Sequence, residues 1–374
     1  QHLAYTPGTS LFHYLGYQLF GGYSPSISYF AQSLILISAL LVMLENRTAD
    51  KGLVLLCLIT VMMTLFFGSV FTKLQVDYLL SIFFFAVIWI ILNEKQGLRT
   101  WFTISPAVCF LFLIKEIGFL MGLVLLVLYS VDLAFSLRSE TGSAEKYNPL
   151  NKAAAAAGIL LTGGLLIIMK QTWAAHCAAN GFGQFSGAMN LDRILGALRI
   201  FTDPGMQTAV LLFLKEMVIG ESDRLNLPYI CWYAGLAFLY VRYRSSLSCA
   251  DARRIDRFAM ILGTVLALYL FMLYLMQVIV FRVGAGNTHI IGFDRYMNIF
   301  FAPMVWLAAV LCLDSRIRKI PVISARKVTT FACVVLLVLV ISRVESTVRR
   351  EAHYGTAAVL ANKIESALGA EQVY

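Results

Sequence analysis

Long apolar runs separated by short polar segments constrain this chain more than any other feature of its sequence. Each run is about as long as a helix must be to cross the roughly 30 Å hydrocarbon core of a bilayer. Since that core offers no water to backbone groups, such runs must form helices that satisfy their own hydrogen bonds. The ten runs lie at approximately 27–44, 52–71, 75–93, 101–115, 117–136, 152–171, 227–242, 257–281, 297–314 and 328–344.

The composition excludes an ordinary soluble domain. Hydrophobic residues make up 59% of the 374 residues and charged residues only 14%. A soluble domain carries roughly 25% charged residues, so this chain has too few to cover a globular surface, and the remaining surface must face lipid. We therefore predict an all-α fold, a polytopic transmembrane helix bundle of about ten spans with short interfacial helices.

The net charge of +9 does not indicate nucleic-acid binding. The basic residues lie in short loops between apolar runs, where they set the orientation of the spans in the membrane. We therefore predict no nucleic-acid partner.

The seven cysteines lie mostly inside apolar runs and form no CxxC pair. Such cysteines usually pack as small hydrophobic side chains, so we predict neither a disulfide framework nor a metal site.

The segment 101–136 could form one long span or a hairpin of two short ones around Lys115-Glu116. Suppose that the segment is a hairpin and that residues 1–26 lie on the non-cytoplasmic side of the membrane. More than half of the 30 lysines and arginines then lie in five short cytoplasmic loops. A single span would move the two most basic loops outside, against the positive-inside rule. We therefore predict the hairpin.

This topology divides the chain into a transmembrane domain, 1–344, and an outer C-terminal tail, 345–374. The domain begins with an interfacial segment, 1–26, and includes a long outer loop, 172–226. Within that loop an apolar stretch at 209–218, bounded by Pro204 and Gly220, predicts a helix near the membrane surface. The chain begins with Gln1 rather than Met, and we expect its sequence to continue upstream.

Charged residues at a membrane boundary are costly unless they face a cavity or a partner, and are therefore candidate functional residues. Asp77 lies at the outer mouth of the third run, where it could equally be a helix N-cap or a first-turn carboxylate. Lys115 and Glu116 interrupt an otherwise apolar stretch, where they could instead form a solvated hairpin tip.

A third candidate, 289–296, leads into the ninth run and contains Asp294 and Arg295. The helix dipole disfavours a cation at a helix N-terminus, so something anionic should compensate Arg295. Asp294 alone could do so. A phosphate would also suit, because a guanidinium binds phosphate oxygens in a bidentate fork and the helix end adds N–H donors.

The fourth candidate is the aromatic segment 5–14, which contains Pro7 and Gly8 and precedes the first run. Taken alone, it predicts a turn followed by an interfacial aromatic belt. The chain has no nucleotide-binding, HExxH or GxSxG motif, so direct use of a nucleotide is not expected.

Together these pieces resemble the GT-C superfamily of polytopic membrane glycosyltransferases, including its protein O-mannosyltransferase-like and aminoarabinose-transferase-like branches. The segment 5–14 is similar to the family's Tyr-x-Pro-Pro/Gly-Leu stretch, Asp77 to its second outer acidic position, and 293–296 to its late Arg-Tyr segment. Two features depart from the pattern. Thr6 replaces a lysine found in some branches, and the family's main catalytic carboxylate would precede Gln1.

The resemblance implies transfer of a sugar from a polyprenyl-phosphate donor to a glycan, lipid or protein acceptor. The enzyme would lie in a membrane, by expectation a bacterial inner membrane, with its site facing outward. The resemblance points to no particular cofactor, although a divalent cation is compatible with the chemistry. The implied roles are catalytic for Asp77, with the main general base upstream; donor phosphate binding for Arg295, Tyr296 and Lys73; and substrate-pocket lining for Tyr5, Pro7, His13, Tyr14, Lys115, Glu116, His289 and Asp294.

Three other functions remain open on the sequence. A transporter or flippase of lipid-linked sugars would carry charges at mid-span and broken helices in matched halves. An O-antigen polymerase or ligase would use arginines of the long outer loop, which holds Arg193, Arg199 and Arg224. The third is a structural subunit without activity.

Overall fold

The structure, a computed structural model, describes residues 8–22, 25–42, 49–67, 76–94, 97–139, 149–181, 191–199, 202–220, 227–283, 290 and 292–317. This part of the chain contains twelve α-helices and no β-strand, as the sequence predicts. The helices are α1 Gly8–Leu19, α2 Pro25–Leu41, α3 Ala49–Phe67, α4 Asp77–Asn93, α5 Leu98–Ile114, α6 Gly118–Ser139, α7 Pro149–Ala179, α8 Leu191–Ala197, α9 Pro204–Ile219, α10 Tyr229–Arg244, α11 Cys249–Ile279 and α12 Phe293–Ile317.

Four of the described helices are long and apolar enough to cross a membrane, and they identify the chain as a membrane protein. They contain the segments Gly118–Phe135, Ala153–Ala179, Asp251–Ile279 and Phe293–Cys312, and shorter apolar helices cover Ser26–Leu41, Asp77–Asn93 and Leu98–Ile114. Large apolar side chains also cover the outside of the bundle; Leu160 is 78% exposed and Phe238 is 68% exposed. Such side chains suit a lipid environment.

Nine of the ten predicted runs coincide with α2–α7 and α10–α12, and the tenth, 328–344, lies outside the described residues, as does the tail 345–374. The count of ten spans therefore stays a prediction. Two helices extend beyond their runs by about two turns. α7 continues to Ala179, past the predicted start of the outer loop at 172, and α11 begins at Cys249 because Ser248 caps it by accepting a hydrogen bond from the Asp251 N–H.

The segment 101–136 forms the predicted hairpin, in which α5 and α6 pack antiparallel around a turn at 115–117. The close approach of the two helices requires glycine at the start of α6. A Cβ atom at Gly118 would lie 1.9 Å from the Leu111 carbonyl oxygen. One turn later, a Cβ at Gly122 would lie 3.3 Å from the Val108 side chain, so the helices stay in close contact.

α4 forms the centre of the bundle and is buried on nearly all sides, as expected of a helix that is apolar all round. It packs most closely against α12. The Phe84 and Phe300 rings lie 5.3 Å apart, and the Ser81 hydroxyl donates to the Ile299 carbonyl at 2.9 Å. The two ends of α4, about 24 Å apart at 1.5 Å per residue, therefore define the two ends of the bundle.

The helix predicted at 209–218 is present as α9. Asp203 caps it by accepting from the backbone N–H of Gly205 at 2.7 Å, and Pro204 occupies its first turn, where a missing N–H costs nothing. It ends before Gly220, as the sequence indicates.

One end of the bundle, here called the Arg254 end, is held by a partly buried ion pair between Arg254 and Asp132. The Arg254 guanidinium donates to both oxygens of Asp132, at 2.8 and 2.6 Å. It also donates to the Leu92 and Ile91 carbonyls at 3.1 and 2.9 Å. Those carbonyls belong to the last turn of α4, where a cation is favoured by the helix dipole. Arg254 therefore ties α11 to α4 and α6. The opposite end, at the first residue of α4, is called the Asp77 end.

Replacing Gly118 with alanine should destabilise the chain by about 1–3 kcal/mol, because the added methyl group forces the α5 backbone away. Gly164→Ala, in α7, is the matched control, since a Cβ there meets nothing within 4 Å. It should stabilise the chain by about 0.5–1 kcal/mol through helix propensity. Thermal unfolding in detergent, followed by circular dichroism, measures both. Equal effects of the two substitutions would contradict the close packing of the hairpin.

Candidate functional site

The candidate site is built on a buried carboxylate, Asp77, whose side chain is only 2% exposed. One carboxylate oxygen accepts a hydrogen bond from Lys115 Nζ at 2.6 Å, and the other accepts from Arg295 Nε at 2.5 Å. These three side chains, separated by 38 and 218 residues along the chain, form one cluster with a net charge of +1. We call it the Asp77 cluster.

Helix termini bring these three side chains together. Asp77 is the first residue of α4, Lys115 directly follows the last residue of α5, and Arg295 lies in the first turn of α12. Because α4 and α12 begin at the same end of the bundle where α5 stops, their terminal side chains converge. The three candidates that the sequence placed on one side of the membrane therefore do lie at one end of the bundle.

The geometry also decides between interpretations that the sequence left open. Asp77 is not the N-cap of α4, since Val76 holds that position and no side chain caps the helix. Its carboxylate instead faces the two cations. The anion that compensates Arg295 at the start of α12 includes Asp77, and not Asp294 alone. Lys115 is 14% exposed in its side chain, so it is not a solvated hairpin tip.

Tyr296 adds an aromatic face to the cluster. Its ring centroid lies 5.3 Å from Lys115 Nζ and 5.8 Å from the Arg295 guanidinium carbon. A cation near an aromatic ring is stabilised by the ring quadrupole. The Tyr296 backbone is held in turn by the Tyr269 hydroxyl of α11, which donates to the Tyr296 carbonyl at 2.6 Å.

α1 brings a second polar group close to the cluster. It packs so tightly on the last turn of α5 that a Cβ at Gly8 would lie 2.6 Å from the Leu113 carbonyl oxygen. His13 of α1 interacts with Gln32 of α2, and Gln32 donates to the Tyr78 hydroxyl at 2.5 Å. Burial lowers the pKa of His13, and the interaction with Gln32 offsets part of that shift. His13 is therefore predominantly neutral at pH 7.

The remaining predicted site residues divide into two groups. Glu116 and Asp294 are half-buried beside Lys115 and Arg295, whereas Tyr14 is 58% exposed and does not line the buried cluster. The others lie outside the described residues, namely Tyr5, Pro7, Lys73 and His289. Among the described residues, no group of three or more His, Cys, Asp or Glu could hold a metal ion.

The sequence reasoning overlooked Gln32, Tyr78 and Tyr269, which connect the cluster to α1, α2 and α11. Gln32 is 2% exposed within an apolar helix. A glutamine inside an apolar run is a signal that could have been read, because buried amides need partners. The two tyrosines carry no such signal, since tyrosines are common at membrane boundaries.

Comparisons with protein-family models, curated proteins and solved structures found no match to this chain. The chemistry of the Asp77 cluster is therefore the basis on which a function can be argued.

We expect Asp77→Asn to destabilise the fold by about 2–4 kcal/mol, because it leaves Lys115 buried without its counter-charge. Arg295→Gln should cost about 0–1 kcal/mol, since the Arg295 side chain is 47% exposed and its pairing is screened by solvent. Thermal unfolding in detergent gives both values. A larger effect for Arg295→Gln than for Asp77→Asn would contradict a cluster centred on the carboxylate.

Proposed function

We propose that this chain is a membrane glycosyltransferase that moves a sugar from a polyprenyl-phosphate donor to an acceptor at the non-cytoplasmic boundary of the membrane. The observation that carries the proposal is the Asp77 cluster, in which one buried carboxylate holds two cations at the edge of an apolar bundle. A lipid-linked phosphate presents its charge at that level, with its chain in the bilayer.

The charge of the cluster suits a phosphate. Asp77 pairs with both cations, and the Arg295 side chain stays accessible enough for an anionic ligand to reach it. Arg295 is the better phosphate ligand of the two, because its side chain is 47% exposed whereas that of Lys115 is 14% exposed. The N-terminus of α12 adds backbone N–H groups and a favourable dipole beside Arg295.

The geometry favours a positioning role for Asp77. Both of its oxygens accept hydrogen bonds from cations, and its side chain is almost fully buried, so it is a poor base for an acceptor hydroxyl. Asp77 instead fixes Lys115 and Arg295 so that they need not reorganise when charge develops on the leaving phosphate. The general base is then a different residue, as the family resemblance implies.

In the proposed reaction, the acceptor oxygen attacks the anomeric carbon of the sugar. The bond between that carbon and the phosphate oxygen breaks, its electron pair leaves with the polyprenyl phosphate, and a base takes the acceptor proton. Arg295 and Lys115 stabilise the leaving phosphate. A single displacement of this kind inverts the anomeric configuration.

The distribution of basic residues supports the orientation. Arg99, Arg242, Arg244, Arg253 and Arg254 all lie at the Arg254 end of α5, α10 and α11. By the positive-inside rule that end would be cytoplasmic and the Asp77 end would face outward. We propose the bacterial inner membrane as the location, with a glycan, lipid or protein as acceptor.

Two competing functions make different use of the chain. A transporter would need charges near mid-membrane, whereas the buried carboxylates of the described residues, Asp77 and Asp132, lie near opposite ends of the bundle. An O-antigen polymerase or ligase would depend on Arg193 and Arg199, which are exposed around α8.

Binding of a polyprenyl phosphate to the purified chain tests the proposal. Arg295→Gln should weaken binding about 10- to 100-fold, the value of one charge-assisted hydrogen bond. Arg99→Gln, an exposed arginine at the opposite end, is the matched control and should leave binding unchanged. Native mass spectrometry of the protein in detergent measures the affinity. Equal affinities of wild type and Arg295→Gln for polyprenyl phosphate would contradict the assignment of phosphate binding to Arg295.

The activity test uses proteoliposomes that contain the chain, extracted polyprenyl-linked sugars and a membrane extract that supplies the glycan, lipid or protein acceptor. We expect release of free polyprenyl phosphate, lost in Arg295→Gln and kept in the double variant Arg193→Gln/Arg199→Gln. Loss in the double variant with retention in Arg295→Gln would favour the polymerase or ligase alternative. Movement of the donor across the bilayer without release of its sugar would favour a transporter.

A further inference from the structure

An apolar cavity of about 320 Å³ lies between α10, α11 and α12, remote from the Asp77 cluster. Its lining includes Leu236 and Tyr243 of α10, Phe258 and Gly263 of α11, and Leu307 of α12. The volume falls within the range of small-molecule and lipid sites, roughly 300–1,000 Å³. Nothing in the proposed transfer reaction uses this cavity.

The position of the cavity matches one leaflet of a bilayer. Along α10 its lining runs from Tyr233 to Tyr243, the penultimate residue of that helix at the Arg254 end. That stretch is about 15 Å long at 1.5 Å per residue. It equals half of the roughly 30 Å hydrocarbon core, which is the depth that the acyl chain of one leaflet occupies.

Arginines surround the end of the cavity that lies at the membrane boundary. Arg242 and Arg244 flank the lining residue Tyr243, and Arg253 and Arg254 precede the lining residue Ile255. Arg242, Arg244 and Arg253 are exposed. Arg244 is paired with Asp256 at 2.7 Å, and Arg254 with Asp132, so Arg242 and Arg253 contribute most of the charge available to a ligand.

We propose that this cavity binds the acyl chain of an anionic glycerophospholipid, whose headgroup lies among Arg242, Arg244 and Arg253. The apolar lining suits the acyl chain of the lipid, and the exposed arginines favour a headgroup with negative charge. The polyprenyl chain of a donor is a different occupant. Its phosphate would lie at the Asp77 end, so its chain would enter from the other boundary.

Gly263 offers a way to fill the cavity without disturbing the bundle. It lines the cavity, and a Cβ built there meets nothing within 4 Å. Gly263→Leu therefore places a side chain in the cavity, and glycine replacement also favours the helix. Gly235→Leu in α10 is the matched control, because a Cβ there also meets nothing within 4 Å and Gly235 does not line the cavity.

Native mass spectrometry of the delipidated full chain, titrated with dioleoyl phosphatidylglycerol or dioleoyl phosphatidylcholine, tests the proposal. Wild type should retain one phosphatidylglycerol in preference to phosphatidylcholine. Gly263→Leu should bind it about tenfold more weakly, because methylenes lose their place in the cavity. Gly235→Leu should bind as wild type. Ala259→Leu, which fills the same cavity, replaces Gly263→Leu should that variant fail to fold.

The headgroup half of the proposal is tested with Arg242→Gln and Arg253→Gln. Each should reduce the preference for phosphatidylglycerol about fivefold, the usual effect of one arginine near an anionic surface. Unchanged binding in Gly263→Leu and Ala259→Leu would overturn the cavity site. Displacement of phosphatidylglycerol by polyprenyl phosphate, with no effect of the arginine substitutions, would assign the cavity to the donor chain and overturn the proposal equally.

Discussion

The structure depends most on the burial of the Asp77 carboxylate. A carboxylate that is only 2% exposed in an apolar bundle is tolerated only where cations meet it. Here two cations do so, one from the turn after α5 and one from the first turn of α12. Because both cations must reach the same carboxylate, the three helix termini are fixed relative to one another along the axis of the bundle. Displacing the Asp77 carboxylate would leave Lys115, which is 14% exposed, without its counter-charge, and breaking such a buried pair costs several kcal/mol.

α4 carries this constraint through the bundle because both of its ends are held by charged groups. At its first residue Asp77 binds Lys115 and Arg295, and at its last turn Arg254 binds the Ile91 and Leu92 carbonyls. Each charge agrees with the helix dipole, since the anion is at the N-terminus and the cation at the C-terminus. Between these ends the helix is apolar and packs against neighbours on nearly every side. The charged groups at its two termini therefore set its position along the axis of the bundle.

The sequence predicted much of this architecture because its signals were physical and local. The length of each apolar run predicted a helix, and the positive-inside bias predicted the α5–α6 hairpin that the structure contains. Boundary charges also indicated Asp77, Lys115 and Arg295 as candidates. The distances between them could not be predicted, since no local pattern states which termini converge. The partners Gln32 and Tyr269 depend on that same three-dimensional convergence.

The charged groups at the two ends of α4 differ in how much of their bonding capacity the fold uses. At the Arg254 end all three nitrogens of the guanidinium donate to fixed acceptors, two carboxylate oxygens and two carbonyls, so four of its five N–H groups are used within the fold. At the Asp77 end one carboxylate faces two cations, and the Arg295 side chain remains 47% exposed. An arginine that is exposed at the membrane boundary can bind an anion in a bidentate fork, whereas an arginine that is held by four hydrogen bonds within the fold has little capacity left to do so. This difference is the physical reason to place ligand binding at the Asp77 cluster and a structural role at Arg254.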